Sequence, residues 1–265
     1  MDWMSLLLIV FSVYGIIHML AFWFQDYLFF HPEKLHRGFK FNYPNEFEEI
    51  QLQGAEDSLI DCLYFPKKGA ERVVFYFKGN TRSIKGWAKF AKDFHRNNYN
   101  FFIIDYPGFG KSTGKRDIDT IHINAQIAYD WLKSKFREDQ IIIYGRSLGA
   151  GFSGYIAMQN DPHLLILDSP FYNFRKLANY YTRILFLRFI LKYNVPLEKY
   201  LAKTRCPVHI IHGDKDITIP LWQGRALAAI DKNRIKLHII KGGRHNNLPK
   251  KVQYQTLLER ILKYK

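Results

Sequence analysis

One serine lies in a sequence context that would expose it as a nucleophile. A run of isoleucines leads into the motif G-x-S-x-G at residues 145–149, and small residues follow it. A strand, a tight turn and a helix in that order hold a serine on a strained backbone. The glycines on either side let the strand and the helix approach each other closely. The pattern predicts Ser147 as a nucleophile.

A serine hydroxyl needs a base to take its proton and a third group to orient that base. His245 lies in a glycine-rich loop after an alternating segment, 234–240, and Asp216 follows the apolar segment 207–213. Spacings of 69 and 29 residues separate Ser147, Asp216 and His245 in that order, which leaves room for the intervening strands and helices. We predict His245 as the base and Asp216 as the acid.

The acid has a second candidate. Asp168 ends the apolar strand predicted over 164–168, and a triad acid can also follow that strand. Asp214 lies close to Asp216 but is expected to support its loop through local hydrogen bonds. For His212, ordinary packing or a hydrogen bond at the end of the sheet is expected.

An acyl-transfer site also needs N–H donors for an oxyanion. One is expected from the backbone of Leu148, directly after the serine. The second is expected from Asn80, because Gly79 lets the backbone turn inward after the strand predicted over 72–77. Asp105 is interpreted as structural, tying down a tight Pro-Gly loop.

From residue 49 onward, strand-like and helix-like segments alternate, which is typical of an α/β fold with a mostly parallel sheet. The segments 49–52 and 59–65 are predicted to form an antiparallel edge. A chain of 265 residues with 48% hydrophobic content can bury one full core. Helices are predicted over 83–96, 119–136, 148–159, 221–230 and 251–262.

The N-terminus predicts a membrane anchor. Residues 4–24 contain no Asp, Glu, Lys or Arg, and a helix of that length crosses a bilayer. A cleaved signal peptide is the rival, but the segment has neither a positive start nor a small-residue cleavage site. The charged residue before the span is Asp2, whereas the cations Lys34, Arg37 and Lys40 follow it. This distribution of charge favours a cytoplasmic catalytic domain. We therefore divide the chain into an anchor, 1–30, and a catalytic domain, 31–265.

A short lid is predicted over about 171–201. Within it, residues 180–192 mix apolar side chains with Arg183, Arg188 and Lys192. That mixture suits either an interfacial amphipathic helix over the site or ordinary core packing. A short lid near a bilayer would suit long-chain acyl esters or thioesters.

Composition and charge argue against several other classes of function. The formal net charge is +15, but no nucleic-acid-binding motif accompanies it, so attraction to anionic membrane lipid or plain solvated charge is expected instead. Two cysteines, Cys62 and Cys206, form neither a disulfide framework nor a metal pattern and are expected to be buried thiols. No cofactor and no metal are expected, and the sequence leaves the oligomeric state open.

Taken together, the motifs at 78–80, 105–110, 145–149, 169–171, 212–216 and 243–246 resemble the α/β-hydrolase superfamily over nearly the whole chain. With the N-terminal span and the segment 27–32, the chain is similar to the membrane-anchored single-domain branch, which includes protein depalmitoylases in animals. The resemblance implies an eight-stranded sheet flanked by helices. It also implies Ser147 as nucleophile, Asp216 as acid and His245 as base. Lys78 departs from the histidine that often begins the oxyanion loop.

The function expected from these features is a membrane-anchored serine hydrolase that cleaves carboxylic esters or thioesters through an acyl-enzyme. Lipid-like acyl substrates are favoured. Two alternatives remain: a catalytically silent membrane scaffold, and an acyltransferase or peptidase that uses the same three residues.

Overall fold

The computed structural model describes residues 2–182 and 190–263. Within them the chain forms an eight-stranded sheet with helices on both faces, preceded by a long N-terminal helix. The strands are β1 (Glu48–Gln53), β2 (Leu59–Phe65), β3 (Val73–Phe77), β4 (Asn100–Ile104), β5 (Ile141–Arg146), β6 (Leu164–Asp168), β7 (Val208–Gly213) and β8 (Ile235–Ile240). The helices are α1 (Trp3–Phe29), α2 (Ile84–Trp87), α3 (Ala91–His95), α4 (Ile118–Lys133), α5 (Leu148–Gln159), α6 (Phe174–Tyr181), α7 (Leu197–Lys203), α8 (Leu221–Ala228) and α9 (Val252–Leu262).

The strand order is β1-β2-β4-β3-β5-β6-β7-β8. Strand β2 pairs antiparallel with both β1 and β4. The other neighbouring strands, in the order β4, β3, β5, β6, β7 and β8, all pair in parallel. The predicted mostly parallel sheet with an antiparallel edge is confirmed. Because parallel strands end at one edge of a sheet, the loops after β3, β5, β7 and β8 meet there.

The sheet carries a hydrophobic core on each face, since side chains alternate along a strand. Phe75 and Phe77 contribute to the core covered by α4, α5 and α7, whereas Val74 and Tyr76 contribute to the core covered by α3 and α9. Cys62 and Cys206 are free, buried thiols, as expected. The two cores fix the strand ends from which the loops of the site extend.

Most predicted elements agree with the structure to within a few residues. The strands over 59–65 and 164–168 and the helix over 148–159 have the predicted bounds. The single helix predicted over 83–96 is wrong, because a 3₁₀ turn at Ala88–Phe90 separates α2 from α3. With this break, Trp87 covers Gly79 while Phe90 stacks on Tyr76 at 5.8 Å.

Helix α1 is longer than the predicted span and its last turn packs on the domain. Gln25 is buried, and its Oε1 accepts a hydrogen bond from the Lys192 backbone N–H at 2.8 Å. Asp26 accepts a hydrogen bond from the Tyr193 hydroxyl at 2.6 Å. The earlier part of α1 is exposed and apolar enough, by length and composition, to cross a membrane.

The lid region contains α6 and α7. The helix predicted over 180–192 does not reach Lys192, because α6 ends at Tyr181 and residues 190–192 are not helical. Residues 183–189, with Arg183 and Arg188, lie outside the described residues, so the amphipathic character proposed for them stays a prediction. Lys192 is exposed, and its ammonium lies 4.7 Å from the centre of the Phe22 ring at the end of α1.

Candidate active site

Ser147 occupies a strained turn between β5 and α5. Its φ of 53° and ψ of −118° fall in a region of backbone conformation that residues other than glycine rarely adopt. Holding a residue there costs about 1–3 kcal/mol of conformational free energy. A Cβ on Gly145 would lie 1.9 Å from the Ser153 Oγ, and one on Gly149 would lie 2.3 Å from the Phe77 carbonyl oxygen. Glycine is therefore required at both positions, because α5 approaches β5 at Gly145 and the end of β3 at Gly149.

The three side chains predicted to act together form one hydrogen-bonded chain. The His245 Nε2 lies 3.0 Å from the Ser147 Oγ, and the His245 Nδ1 lies 2.8 Å from the Asp216 Oδ2. Each residue follows a different parallel strand, β5, β7 or β8, so the shared edge of the sheet brings them together. The arrangement has the geometry of a nucleophile, a base and an orienting acid.

Asp216 is held by its own loop. Its Oδ1 accepts hydrogen bonds from the backbone N–H groups of Thr218 at 2.9 Å and Ile219 at 2.8 Å, which leaves Oδ2 for His245. Burial raises the pKa of Asp216, but the hydrogen bond and charge interaction with His245 and the Ile219 N–H outweigh it. The net pKa lies below the ordinary value for aspartate. Asp216 is therefore ionised beside His245 at neutral pH.

Asp168, the other candidate acid, lies in a different network. Its fully buried carboxylate accepts a hydrogen bond from the Tyr144 hydroxyl at 2.9 Å and lies 3.6 Å from the Arg146 Nε. Arg146 in turn donates to the His245 backbone carbonyl at 2.9 Å. Among the described residues, Arg146 connects Asp168 to the histidine loop, whereas Asp216 contacts the imidazole directly.

His212 packs at the end of the sheet, as expected. It is fully buried, and its Nε2 donates to the Ile219 carbonyl at 2.7 Å. Burial lowers the pKa of His212 despite the opposing effects of Ile219 and Asp216, so the ring is neutral at pH 7. It supports the loop that carries Asp216.

The predicted oxyanion donors lie beside the serine. Leu148 begins α5, so its N–H is one of the helix-start donors without an acceptor inside the helix. A Cβ on Gly79 would lie 3.8 Å from the Ser147 Cβ, and the adjacent Asn80 lines one cavity together with Ser147. The Asn80 side-chain amide donates a hydrogen bond to the Phe29 backbone carbonyl at 2.8 Å, and the Asn80 backbone carbonyl accepts one from the His31 N–H at 2.8 Å. The end of α1 therefore holds the loop that carries Asn80.

A cavity of about 470 Å³ opens beside the Ser147 hydroxyl, and the residues that line it include Asn80, Leu148 and His245. Its other side is mostly apolar and combines the end of α1 with the lid region. The apolar lining includes Leu28, Phe29, Phe171, Phe174, Leu177 and Leu191.

Comparisons with known proteins agree with this fold. The profile of the family Serine aminopeptidase, S33 matches residues 68–195, a range that includes Ser147 but ends before Asp216 and His245. An esterase of Pyrococcus furiosus superposes with a TM-score of 0.68 at 16% identity, covering 88% of this chain and 97% of that one. The chain has the α/β-hydrolase fold, and the family match and the named relatives support the α/β-hydrolase superfamily.

Two curated relatives cover most of this hydrolase. An uncharacterized protein of Mycobacterium tuberculosis is 26% identical over 220 residues, which are 82% of this chain and 78% of the relative. Alpha/beta hydrolase domain-containing protein 17C of Xenopus tropicalis is 24% identical over 221 residues, 82% of this chain and 70% of the relative. Together with the family match, these similarities support a hydrolase of the α/β type.

Sequence reasoning did not single out three residues that shape the site of this hydrolase. Arg146 occupies the variable position directly before the serine, and Tyr144 lies two residues earlier on β5. Phe29 lies beyond the 21-residue span, after Gln25 and Asp26 have interrupted the apolar run. The contacts of all three residues come from segments distant in sequence, so no local pattern indicates their roles.

A buried ion pair underlies the Asn80 loop of the hydrolase. Lys78 and Asp105 are both fully buried, with the Lys78 Nζ 3.4 Å from the Asp105 Oδ1. Burial lowers the pKa of Lys78 to about 8 and raises that of Asp105 to about 6, and their mutual attraction opposes both shifts. Asp105 also accepts a hydrogen bond from the Ile84 N–H at 3.0 Å. The lysine that replaces the usual histidine is therefore part of the packing beneath the loop.

We expect Lys78→Met to lower the free energy of unfolding by about 3–5 kcal/mol, because it leaves the buried Asp105 carboxylate without its cation. The measurement is denaturant unfolding of the full chain in detergent. Lys85→Met is the matched control, since Lys85 is 47% exposed and pairs with Glu33 at the surface. It should cost less than about 1 kcal/mol. Equal losses in the two variants would contradict a structural role for the buried pair.

Proposed function

We propose that this protein is a membrane-anchored serine hydrolase that cleaves carboxylic esters or thioesters of apolar acyl chains. The observation that carries the proposal is the hydrogen-bonded chain from Ser147 through His245 to Asp216 beside an apolar cavity. Ser147 is proposed as the nucleophile, His245 as the base and Asp216 as the acid that orients it.

The proposed reaction has two steps. His245 Nε2 takes the Ser147 proton as the Oγ attacks the acyl carbonyl, and Asp216 holds the Nδ1–H and stabilises the imidazolium. The backbone N–H groups of Leu148 and Asn80 stabilise the oxyanion. The imidazolium then protonates the leaving group, and an acyl-enzyme remains on Ser147. Water activated by His245 releases the carboxylic acid in the second step.

We expect Ser147→Ala to abolish labelling by a fluorophosphonate and to lower kcat by about 10⁶-fold. Asp216→Asn should lower kcat by about 10⁴-fold, because the amide favours the wrong imidazole tautomer. Asp168→Asn is the matched control, since Asp168 contacts Tyr144 and Arg146 and not the imidazole. The measurements are probe labelling and ester hydrolysis by the full chain in detergent.

Full labelling of Ser147→Ala would contradict the assignment of the nucleophile. A larger loss of kcat in Asp168→Asn than in Asp216→Asn would reverse the assignment of the acid. A folded wild-type protein that neither labels nor hydrolyses any ester would instead favour a silent scaffold.

The cavity supports an apolar acyl group as the bound part of the substrate. Transfer of one methylene from water into apolar surroundings is favourable by about 0.8 kcal/mol, so each added methylene should raise kcat/KM by about fourfold until the cavity is full. Ala178 lies in the cavity wall on α6 and is buried. A larger side chain at this position would reduce the space available to the acyl chain.

We expect Ala178→Phe to move the optimum of a p-nitrophenyl ester series to shorter acyl chains while butyrate hydrolysis changes little. The measurement is kcat/KM from acetate to palmitate for both proteins. Ala229→Phe is the control, because Ala229 lies at the end of α8 and does not line this cavity. An unchanged optimum in Ala178→Phe would contradict acyl binding in the cavity.

The profile match also raises an aminopeptidase as a second candidate, because its family bears that name. An aminopeptidase must bind a free α-ammonium group, which calls for a carboxylate near the serine. Among the described residues that line the cavity there is neither Asp nor Glu. The cavity therefore favours an acyl group, and amino-acid anilides in the same assay separate the two activities.

We further propose that residues 1–30 are a retained anchor and that residues 31–265 form the catalytic domain on the cytoplasmic side. Leu28 and Phe29 line the cavity, and the Phe29 carbonyl holds Asn80, so removing this segment would remove part of the site. Lys34, Arg37 and Lys40 follow the span, whereas Asp2 precedes it. That distribution favours a cytoplasmic domain under the positive-inside rule.

We expect a cysteine introduced as Lys67→Cys to react with an impermeant maleimide only after spheroplasts are broken, and Asp2→Cys to react in intact ones. Native Cys62 and Cys206 are buried and should give a low background. Labelling of Lys67→Cys alone in intact spheroplasts would reverse the topology. Labelling of both introduced cysteines in intact spheroplasts would contradict a membrane span.

A further inference from the structure

A second cavity adjoins the proposed acyl site and is basic. We propose that it binds a phosphate-bearing leaving group of the substrate, so that the hydrolase cleaves acyl esters or thioesters whose other half is anionic. The inference rests on the proposed function and adds the chemistry of the departing group.

The cavity has a volume of about 430 Å³ and lies between the segment from α2 to α3 and the loop after β8. Cationic side chains come from both walls. Lys89, Lys92 and Arg96 line it from one side and Lys250 from the other. A group bound between the walls would therefore meet positive charge on two sides.

Most of this positive charge is not neutralised within the protein. Asp93 is the acidic residue among those described around the cavity, and its carboxylate pairs with Arg96. Lys89, Lys92 and Lys250 have no carboxylate within 4.0 Å in the described part of the chain. An anion entering here would gain these interactions without displacing an existing ion pair.

The position of the cavity relative to His245 assigns it to the leaving group. In the proposed mechanism the imidazolium delivers its proton to the departing atom, so the leaving group must lie on the histidine side of Ser147. Asn246, directly after His245, lines both cavities, and so does Arg146. The basic cavity thus adjoins the cavity beside Ser147 through two shared residues, one of which directly follows His245.

Arg146 forms the boundary between the two cavities. Its guanidinium lies 5.6 Å from the centres of the Trp87 and Phe90 rings, and it donates to the His245 carbonyl. Asp168 compensates its charge from the interior. On one side of this boundary the walls are largely apolar, and on the other they carry four cationic side chains. This division matches a substrate with an acyl chain at one end and an anion at the other.

Two kinds of molecule share this chemistry: an acylated glycerophosphate and an acyl thioester of a phosphate-bearing coenzyme. Two matched pairs of substrates separate them. The first pair is decanoyl glycerol 3-phosphate and monodecanoyl glycerol. The second pair is S-decanoyl 4′-phosphopantetheine and S-decanoyl pantetheine. Within each pair the acyl chain and the scissile bond are the same and the phosphate differs.

The experiment measures KM for both pairs with the full-length protein in neutral detergent micelles. Wild type should show a lower KM for the phosphate-bearing member of at least one pair. In Lys89→Glu/Lys92→Glu, the ratio of the phosphate-bearing KM to the neutral KM should rise by about tenfold, as expected for two exposed charge interactions lost and reversed. High salt should reduce the wild-type preference, because exposed charges are screened.

The matched control is Lys67→Glu/Lys68→Glu, which makes the same change in net charge. These two lysines are exposed in the turn between β2 and β3, at the opposite end of β3 from Asn80. The control should keep the wild-type ratio. Because each ratio compares two substrates of one protein, a uniform loss of folded enzyme does not change it.

The outcomes separate this inference from the proposed function. A ratio near one in wild type for both pairs, or the same ratio in wild type and Lys89→Glu/Lys92→Glu, overturns the leaving-group site and leaves the serine hydrolase standing. An equal rise in the Lys67→Glu/Lys68→Glu control also overturns it, because overall charge then explains the preference. Cleavage of neither pair, with no fluorophosphonate labelling of Ser147, overturns the proposed function itself. Labelling without cleavage of either pair overturns the leaving-group site alone.

Discussion

The close approach of β5 to α5 is the constraint on which the rest of the site depends. It holds Ser147 at a positive φ and leaves no room for a Cβ on Gly145, and the end of β3 leaves none on Gly149. Because β5 runs parallel to β7 and β8, the loops that carry Asp216 and His245 extend from the same edge of the sheet. One local strain and one sheet topology together account for the hydrogen-bonded chain.

Buried charges hold the loops on either side of that turn. Lys78 and Asp105 pair beneath the loop that carries Asn80, and Asp168 pairs with Arg146, which donates to the His245 carbonyl. Such pairs are costly to break, because removal of one partner leaves the other charged and desolvated. They orient backbone groups around the serine without themselves touching it.

The surroundings of the serine are divided by polarity. Phe29, at the end of the N-terminal helix, is part of an apolar cavity, and beyond Arg146 four cationic side chains line the second cavity. The same helix end holds Asn80 through the Phe29 carbonyl. In the proposed function, the helix that enters the membrane is thus also a wall of the acyl site, which would place that site close to the bilayer surface.

The sequence by itself determined the mostly parallel sheet and the candidate residues Ser147, Asp216 and His245. Strand, turn and helix patterns are local, so their order along the chain can be recognised from the sequence. Only the tertiary structure decided which carboxylate lies against His245, since Asp168 and Asp216 both follow apolar strands. It alone also showed the break in the helix predicted over 83–96 and the shared boundary at Arg146. These features depend on contacts between segments far apart in the chain, and the local periodicity of the sequence does not predict such contacts.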